Sequence, residues 1–334
     1  MKKSQKTKIK SPVDIMNIVF DFRKSRIILT AFELDLFTAI GNKKLRSKEV
    51  SGIIGADSRA TDRLMNALCA LDLLKKQKDL FSNSAVSAKH LVKGKPWYLA
   101  GMAHSANLWS TWSTLTQAVK KGSTVIPKDQ SAISGNMAKG FIAAMHQRAK
   151  TQAIEIAGML KLSGAGKVLD IGGGSGAHCM AILNAKKDCR AVIFDLPHII
   201  PISKSYISKA GMLDRFDFIK GDFNKDDFGS GYNLILLSAI IHMNSIEKNI
   251  RLLKKAAGAL SKGGQLIIQD YIMNEERTKP DVGAFFALNM LVGTEAGDTF
   301  TRAEVTKWMK DAGLSNISLK KTSFDASLII GWKK

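Results

Sequence analysis

The stretch KVLDIGGGSGA, residues 167–177, decides the fold. A short apolar strand, Lys167 to Ile171, runs into five residues of which four are glycine, and a helical segment over 177–184 follows. Glycines let the backbone turn sharply and approach a ligand, and the helix N-terminus behind them aims its free amides at whatever lies above the strand. Working outward, the pattern repeats. RAVIFDL, residues 190–196, reads as a second strand ending in Asp195. Further strands are predicted at about 216–219, 232–239 and 265–272, with helices at about 201–210 and 245–261 between them. That alternation specifies a parallel sheet covered on both faces. Two last strand-like stretches, 315–322 and 326–332, flank Ser323, Phe324 and Asp325 and predict a terminal hairpin at the sheet edge.

The first third reads differently. Ser11, Pro12 and Asp14 form a helix start: a cap, a proline in the first turn and an acid on the positive end of the dipole. Apolar residues then recur helically through Ile15, Ile18, Phe22, Leu29, Phe32 and Leu36 until Gly41. A short helix from Ser47 to Ile54, closed by Gly55, and a longer one from about Asp57 to Leu74 follow, the latter with Leu64, Leu68 and Leu71 on one face. Lys75 to Val86 holds two extended stretches around a charged turn. Helices followed by a small hairpin are the order of a winged-helix domain. The chain is thus predicted as a basic tail over 1–10, a winged-helix-like, all-helical dimerisation domain over 11–100, and a nucleotide-binding domain with linking helices over 101–334.

Bulk composition narrows the classes. At 334 residues, with 45% hydrophobic residues, the chain is long enough for one large domain or two moderate ones and is not a disordered polymer. No run of about 18 uncharged apolar residues occurs, so no membrane span is expected. The basic N-terminus lacks the apolar segment of a secretory signal, and Cys69, Cys179 and Cys189 show neither disulfide nor metal-ligand spacing; a cytoplasmic protein without a metal site is expected. Net charge is +21, with 20 of the 50 basic residues in the first hundred positions. That charge would suit nucleic acid. However, the candidate recognition helix, SRATDRLMNALCALDLL, has two arginines at its start and a mostly apolar body, which favours self-association over a DNA partner.

The glycine cluster alone fits two ligands. Gly172-x-Gly174-x-x-Ala177 with Asp195 downstream satisfies a dinucleotide fingerprint, and a sulfonium nucleoside fits the same turn. Three features favour the second. Asp170, two residues before the first glycine, would repel a pyrophosphate and attract an amino group. Gly221-Asp222-Phe223 ends the third strand with an acid for an adenine amino group and an aromatic for its ring. The terminal hairpin is the third.

DIGGGSG (170–176), FDLP (194–197), GDF (221–223), an apolar strand running to His242 and the helical start together resemble the small-molecule O-methyltransferases, the plant caffeate and acetylserotonin type with their bacterial relatives, over about residues 15–333. The resemblance implies a Rossmann-like α/β methyltransferase fold, S-adenosyl-L-methionine as cofactor, a homodimer formed through the N-terminal domains and a small hydroxylated substrate. It implies that Gly172, Gly173 and Gly174 line the cofactor loop, that Asp195 and Leu196 hold ribose and flank adenine, and that Asp222 and Phe223 grip the base. Ser238 stands where plant members often carry a lysine near the cofactor. His242 matches the family's general base and Asp270 the acid that supports it. Phe141, Met145 and His146 (in FIAAMHQRAK) and Phe286, Asn289 and Met290 (in AFFALNMLVG) match helices that line the substrate pocket in relatives. Two positions depart from the plant pattern: Thr299, with Asp298 beside it, replaces a glutamate, and Met243-Asn244 replaces Asp-Trp.

The residues support His242 independently. It follows an apolar strand at the carboxyl edge of a parallel sheet, where ligands of open sheets bind, and an imidazole there is suited to take a hydroxyl proton. Two other readings remain at this point: a cofactor-binding relative that does chemistry other than methyl transfer, and a winged-helix DNA-binding regulator with a ligand-sensing C-terminal domain.

Overall fold

The computed structural model describes residues 9–127 and 135–334; most of the lysine-rich segment 1–10 lies outside the described residues. The chain divides into two compact units, the first ending at Ala106 and the second running from Asn107 to Lys334.

In the first unit, Ser11 caps helix α1 (Pro12–Phe20) in a reciprocal capping box with Asp14, as its sequence demands. The apolar run then breaks where one continuous helix was expected. Helix α2 (Phe22–Glu33) and helix α3 (Leu36–Ile40) are separate, and the second break passes through Asp35 at φ 54°, a left-handed conformation no helix interior accepts. Helix α4 (Ser47–Ile54) ends on Gly55 at φ +67°. Asp57 caps helix α5 (Ser58–Ala70), whose buried face is Thr61, Met65 and Leu68, with Leu64 only half-buried beside it. The helix ends four residues before the expected Leu74, because Leu74 opens strand β1 (Leu74–Gln77), antiparallel to β2 (Leu80–Asn83). Helix α6 (Ala85–His90) follows. Ala31, Phe37, Ile40, Val50, Met65, Leu68 and Phe81 form the core of this unit. Helix α1 buries none of its residues, and Val13, Ile15, Ile18 and Phe20 are all exposed.

Helix α7 (Met102–Trp112) carries the chain into the second unit, where α8 (Leu115–Lys121) and the long α9 (Gly135–Met159) precede the sheet. Its strands and helices are β3 (Lys167–Ile171), α10 (Ala177–Ala185), β4 (Arg190–Asp195), α11 (Ile200–Lys209), β5 (Phe216–Lys220), β6 (Tyr232–Ser238), α12 (Ile246–Ala259) and β7 (Leu260–Asp270). After β7 come β8 (Ile272–Met273), α13 (Asp281–Gly293), β9 (Phe300–Thr301), α14 (Arg302–Asp311), β10 (Leu314–Lys321) and β11 (Ser327–Lys333). The spatial order is β10-β11-β7-β6-β3-β4-β5. Strands β3 to β7 are parallel, and β11 lies antiparallel against β7, so the terminal hairpin completes the edge. Alternation along each strand divides its side chains between two buried clusters. Val168, Leu234, Leu236 and Ile267 pack beneath α10, while Leu169, Ile235, Leu237 and Ile268 pack against α12 and α14. The strand order reverses at β3, with β4 on one side and β6 on the other, and this opens the crevice at the carboxyl ends of these strands. Among the described residues no helix is long and apolar enough to cross a membrane.

Candidate active site

The glycine turn is built as its composition requires. Gly172, Gly174 and Gly176 take φ of +70°, +54° and +76°, conformations that burden any side chain, and Gly176 stands directly before α10. A Cβ on Gly173 would lie 3.0 Å from the carboxyl carbon of Asp170, so the turn rests directly on that acid. Asp195, ending β4, accepts from the amide of Gly174 at 2.8 Å and from that of Leu196 at 2.8 Å; Leu196 is exposed. Burial raises the Asp195 carboxyl, and those two amides oppose the rise.

Asp170 is only 1% exposed, and its Oδ2 has no hydrogen-bond partner among the described residues. Burial, then the charge of Asp195, pushes its pKa up to about 8. Asp222 follows Gly221, whose amide donates to the Asp195 carbonyl at 3.0 Å; its carboxylate accepts from the Asn224 amide at 2.9 Å with Lys225 3.7 Å away, and Phe223 packs half-buried against the core. Ser238 turns into the sheet. Its hydroxyl bonds Gln269 Oε1, an acceptor only, so the 3.0 Å contact with His178 Nε2 makes that nitrogen the donor. His178 is buried, its Nδ1 lacks a partner among the described residues, and burial pushes its pKa down to about 4.

His242 is reached through a sharp bend. Ala239 takes φ 56°, donates its amide to the Gln269 carbonyl at 2.9 Å, and leads into a single 3-10 turn, Ile241–Met243. His242 Nδ1 lies 3.0 Å from both carboxylate oxygens of Asp270, and the two side chains are 12% and 3% exposed. No described residue reaches Nε2. The Phe286 ring stands at 86° to the imidazole, centroids 4.8 Å apart. From behind, the Asp298 amide donates to the His242 carbonyl at 2.9 Å, while a Cβ on Gly297 would come within 2.5 Å of that same oxygen. The Asp298 carboxylate bonds its neighbour's amide and faces Arg277, and Thr299 is buried, so this loop supports His242 through its main chain.

Residues 112–315 match the O-methyltransferase domain and residues 16–93 the O-methyltransferase dimerisation domain. The chain belongs to the O-methyltransferase family. It is 29% identical over 334 residues to TcmO, the tetracenomycin polyketide synthesis 8-O-methyl transferase of Streptomyces glaucescens, covering 98% of each chain. It is 28% identical over 327 residues to the acetylserotonin O-methyltransferase of Bos taurus, covering 92% of this chain and 94% of that one. The fold is that of PigF, solved with SAH, with a TM-score of 0.90 at 24% identity over 97% of this chain and 100% of that one.

As an O-methyltransferase of this family, the protein depends on S-adenosylmethionine. The residues present fit a cationic ligand of that kind, because a buried carboxylate oxygen without a partner, beside a second carboxylate, lacks a positive charge. The helix α9 of this O-methyltransferase presents two faces. Ile142 lies against the glycine turn, 3.4 Å from where a Gly174 Cβ would stand, and His146 Nδ1 meets Ser175 at 2.9 Å with its ring on Tyr206. Burial, then Lys150, lowers the His146 pKa. Phe141 packs with Ile142 and Ile199 on that same side, while Met145 is half-buried. Arg148, further along, meets Tyr271. On α13, Met290 is buried and Asn289 accepts from the Trp112 indole at 2.9 Å.

Four residues that sequence reading passed over belong to this neighbourhood: His178, Gln269, Tyr271 and Arg148. Gln269 had a signal, since strand alternation places it across from Ser238 in the β6–β7 register. Tyr271 follows Asp270 directly and donates its amide to that carboxylate at 2.8 Å. Nothing in the sequence aims His178 or Arg148.

Proposed function

We propose that this protein transfers a methyl group to a hydroxyl of a small, largely apolar molecule, with His242 as general base and Asp270 as its support. One observation carries the reading: an imidazole held at Nδ1 by both oxygens of a buried carboxylate, its Nε2 left without a partner among the described residues, at the carboxyl edge of a parallel sheet. S-adenosylmethionine supplies an electrophilic methyl group on a sulfonium. Asp270 fixes the tautomer with the proton on Nδ1, so that Nε2 presents its lone pair to the acceptor hydroxyl. As the proton moves to Nε2, the carboxylate supplies the counter-charge. Phe286, edge-on to the imidazole, limits its rotation and keeps water from that side.

In this reading Gly172, Gly173 and Gly174 admit the cofactor to the turn, Asp170 answers its positive charge, Asp195 and Leu196 take the ribose and adenine side, and Asp222 with Phe223 closes the far end. Ser238 acts from beneath, by tying β6 to β7. Met145, Phe286, Asn289 and Met290 are assigned to the acceptor side, while the contacts of Phe141 and His146 suit the cofactor side better. The exposed apolar helix α1 supports pairing of two chains through the dimerisation domain.

The test is His242→Ala, with SAH release from 2-naphthol or 6-hydroxy-2-naphthoate as the readout. Turnover should fall about 10²–10⁴-fold, the usual contribution of a general base, while SAH affinity measured by calorimetry stays within about twofold. Unaltered turnover would remove His242 from the chemistry.

A further inference from the structure

Arg148 has the chemistry of a substrate contact, and the proposed reaction leaves it without a role. It projects from α9 at the position i+3 from Met145, and its Nη2 donates to the Tyr271 hydroxyl at 2.6 Å. Its guanidinium carbon lies 5.4 Å from the centre of the Tyr271 ring. A guanidinium carries five N–H donors in a planar fork shaped for a carboxylate. Here a neutral phenol takes one of them, and no carboxylate lies within ion-pair distance of Arg148 among the described residues. The nearest acid along the same helix, Glu155, is bonded to the amide and hydroxyl of Ser323.

The surroundings place this cation on the acceptor side. The Tyr271 ring lies 4.9 Å from that of Phe286, and Phe286 is the ring that meets His242. The amide of Tyr271 bonds the Asp270 carboxylate that holds the imidazole. Two ring contacts, through Phe286 and Tyr271, therefore link the His242 imidazole to the guanidinium of Arg148. A hydroxylated ring laid along Phe286 and Tyr271 would carry its far end to the guanidinium.

We propose that Arg148 is a specificity-determining residue that binds an acidic substituent, a carboxylate, on the far end of the acceptor. The substrate class is then a hydroxylated aromatic acid: an apolar ring system with its hydroxyl at His242 and its carboxylate in the fork of Arg148. This rests on the reading of His242 as the acceptor site, and the test separates the two.

Two probes of equal ring size differ only in the acid: 6-hydroxy-2-naphthoate and 2-naphthol. Their affinities are measured calorimetrically on the SAH-loaded enzyme, where no turnover is needed. The wild-type protein should hold the naphthoate at least tenfold more tightly than the naphthol, the scale of a charge-assisted bidentate contact. Arg148→Gln should collapse that ratio to about 1, and Arg148→Lys, which keeps the charge but not the fork, should restore part of it. Unchanged SAH affinity and melting temperature in both variants show that the protein remains folded. Equal affinity for the two probes in the wild-type protein overturns the proposal, as does a preference that survives in Arg148→Gln. A packing role for Arg148 would instead weaken both probes together and leave the ratio intact. If the naphthoate binds through Arg148 and its SAH release is unaltered by His242→Ala, the anion contact stands and the general-base reading falls.

Discussion

Two aspartates at the carboxyl ends of the central sheet are almost equally hidden from water, and they are opposites in every other respect. Asp270, ending β7, is 4% exposed; Asp170, next to last in β3, is 1% exposed. Asp270 directs both oxygens to the His242 imidazole and accepts from the Tyr271 amide. Asp170 has a bare Oδ2 and a second carboxylate, Asp195, for a neighbour, so burial and like charge together push its pKa up to about 8. Burial is nearly constant across the pair, so what differs is the partner: an imidazole and an amide for one, a like charge for the other. One acid is complete within the protein. The other keeps one oxygen without a partner among the described residues, and in the proposed reading the cationic cofactor supplies it.

The largest effect should come from breaking the completed pair. Asparagine at 270 keeps the size of the side chain but offers its amide to Nδ1 as a donor, which drives the imidazole proton to Nε2 and removes the base. Asp270→Asn should therefore lower kcat by about 10²–10⁴-fold in single-turnover experiments, as an analogous change does in serine-protease triads, with SAH affinity within about threefold of wild type. A loss below threefold would mean that the carboxylate is a structural partner of Tyr271 and nothing more.

The same two acids show how far the sequence could be read. Alternating strands and helices placed Asp170 under the glycine turn, His242 beyond β6 and Asp270 at the end of β7, because strand ends are fixed by where apolar runs stop. The terminal hairpin and the Ser11 cap were legible for similarly local reasons. Helix α9 was not. Its apolar residues enter two clusters, Ala138 and Ile142 with Ile199 and Ile156 and Ala157 with the sheet, so a 3.6-residue period cannot say that His146 meets Ser175 while Arg148 meets Tyr271. Ser238 illustrates a second limit. The resemblance set it near the cofactor, and its bonds to His178 and Gln269 depend on tertiary neighbours that no local pattern announces. The break at Asp35 is a third: a single left-handed residue divides a helix without altering its apolar pattern.

A smaller effect, with a definite sign, should come from the incomplete acid. In the ligand-free protein Asp170 holds its proton to about pH 8, while in the unfolded chain it loses it near the ordinary carboxyl value of 3.8. Between those limits the folded state binds more protons than the unfolded state, so this group's contribution to stability is full below about pH 4 and is lost as pH rises toward 8. Asp170→Asn removes that loss. The variant should match wild type near pH 4 and exceed it by a margin in melting temperature that widens steadily as pH rises toward 8. It should also bind S-adenosylmethionine about tenfold more weakly, and the proton released when wild type binds, read by calorimetry in buffers of different ionisation heat, should disappear. A melting gain that does not grow with pH would show that Asp170 is not the buried, proton-holding acid of the cofactor crevice.

The smallest effect tests whether His242 owes its place to Asp270 or to the bend that delivers it. Ala239 at φ 56° is the strained residue of that bend. Glycine at 239 relieves the left-handed penalty of about 1–2 kcal/mol per L-residue, and it costs about 0.4–1 kcal/mol by loosening the unfolded chain. The relief outweighs the cost. Ala239→Gly should thus stabilise the protein by up to about 1 kcal/mol, raising the melting temperature by about 2–4 °C at most. Turnover should fall less than threefold, because the bend remains tied by the Ala239 amide on Gln269, the Asp298 amide on the His242 carbonyl and the carboxylate on Nδ1. A turnover loss in Ala239→Gly as deep as that in Asp270→Asn would reverse the order: the strained backbone, and not the completed acid, would then be what aims the imidazole.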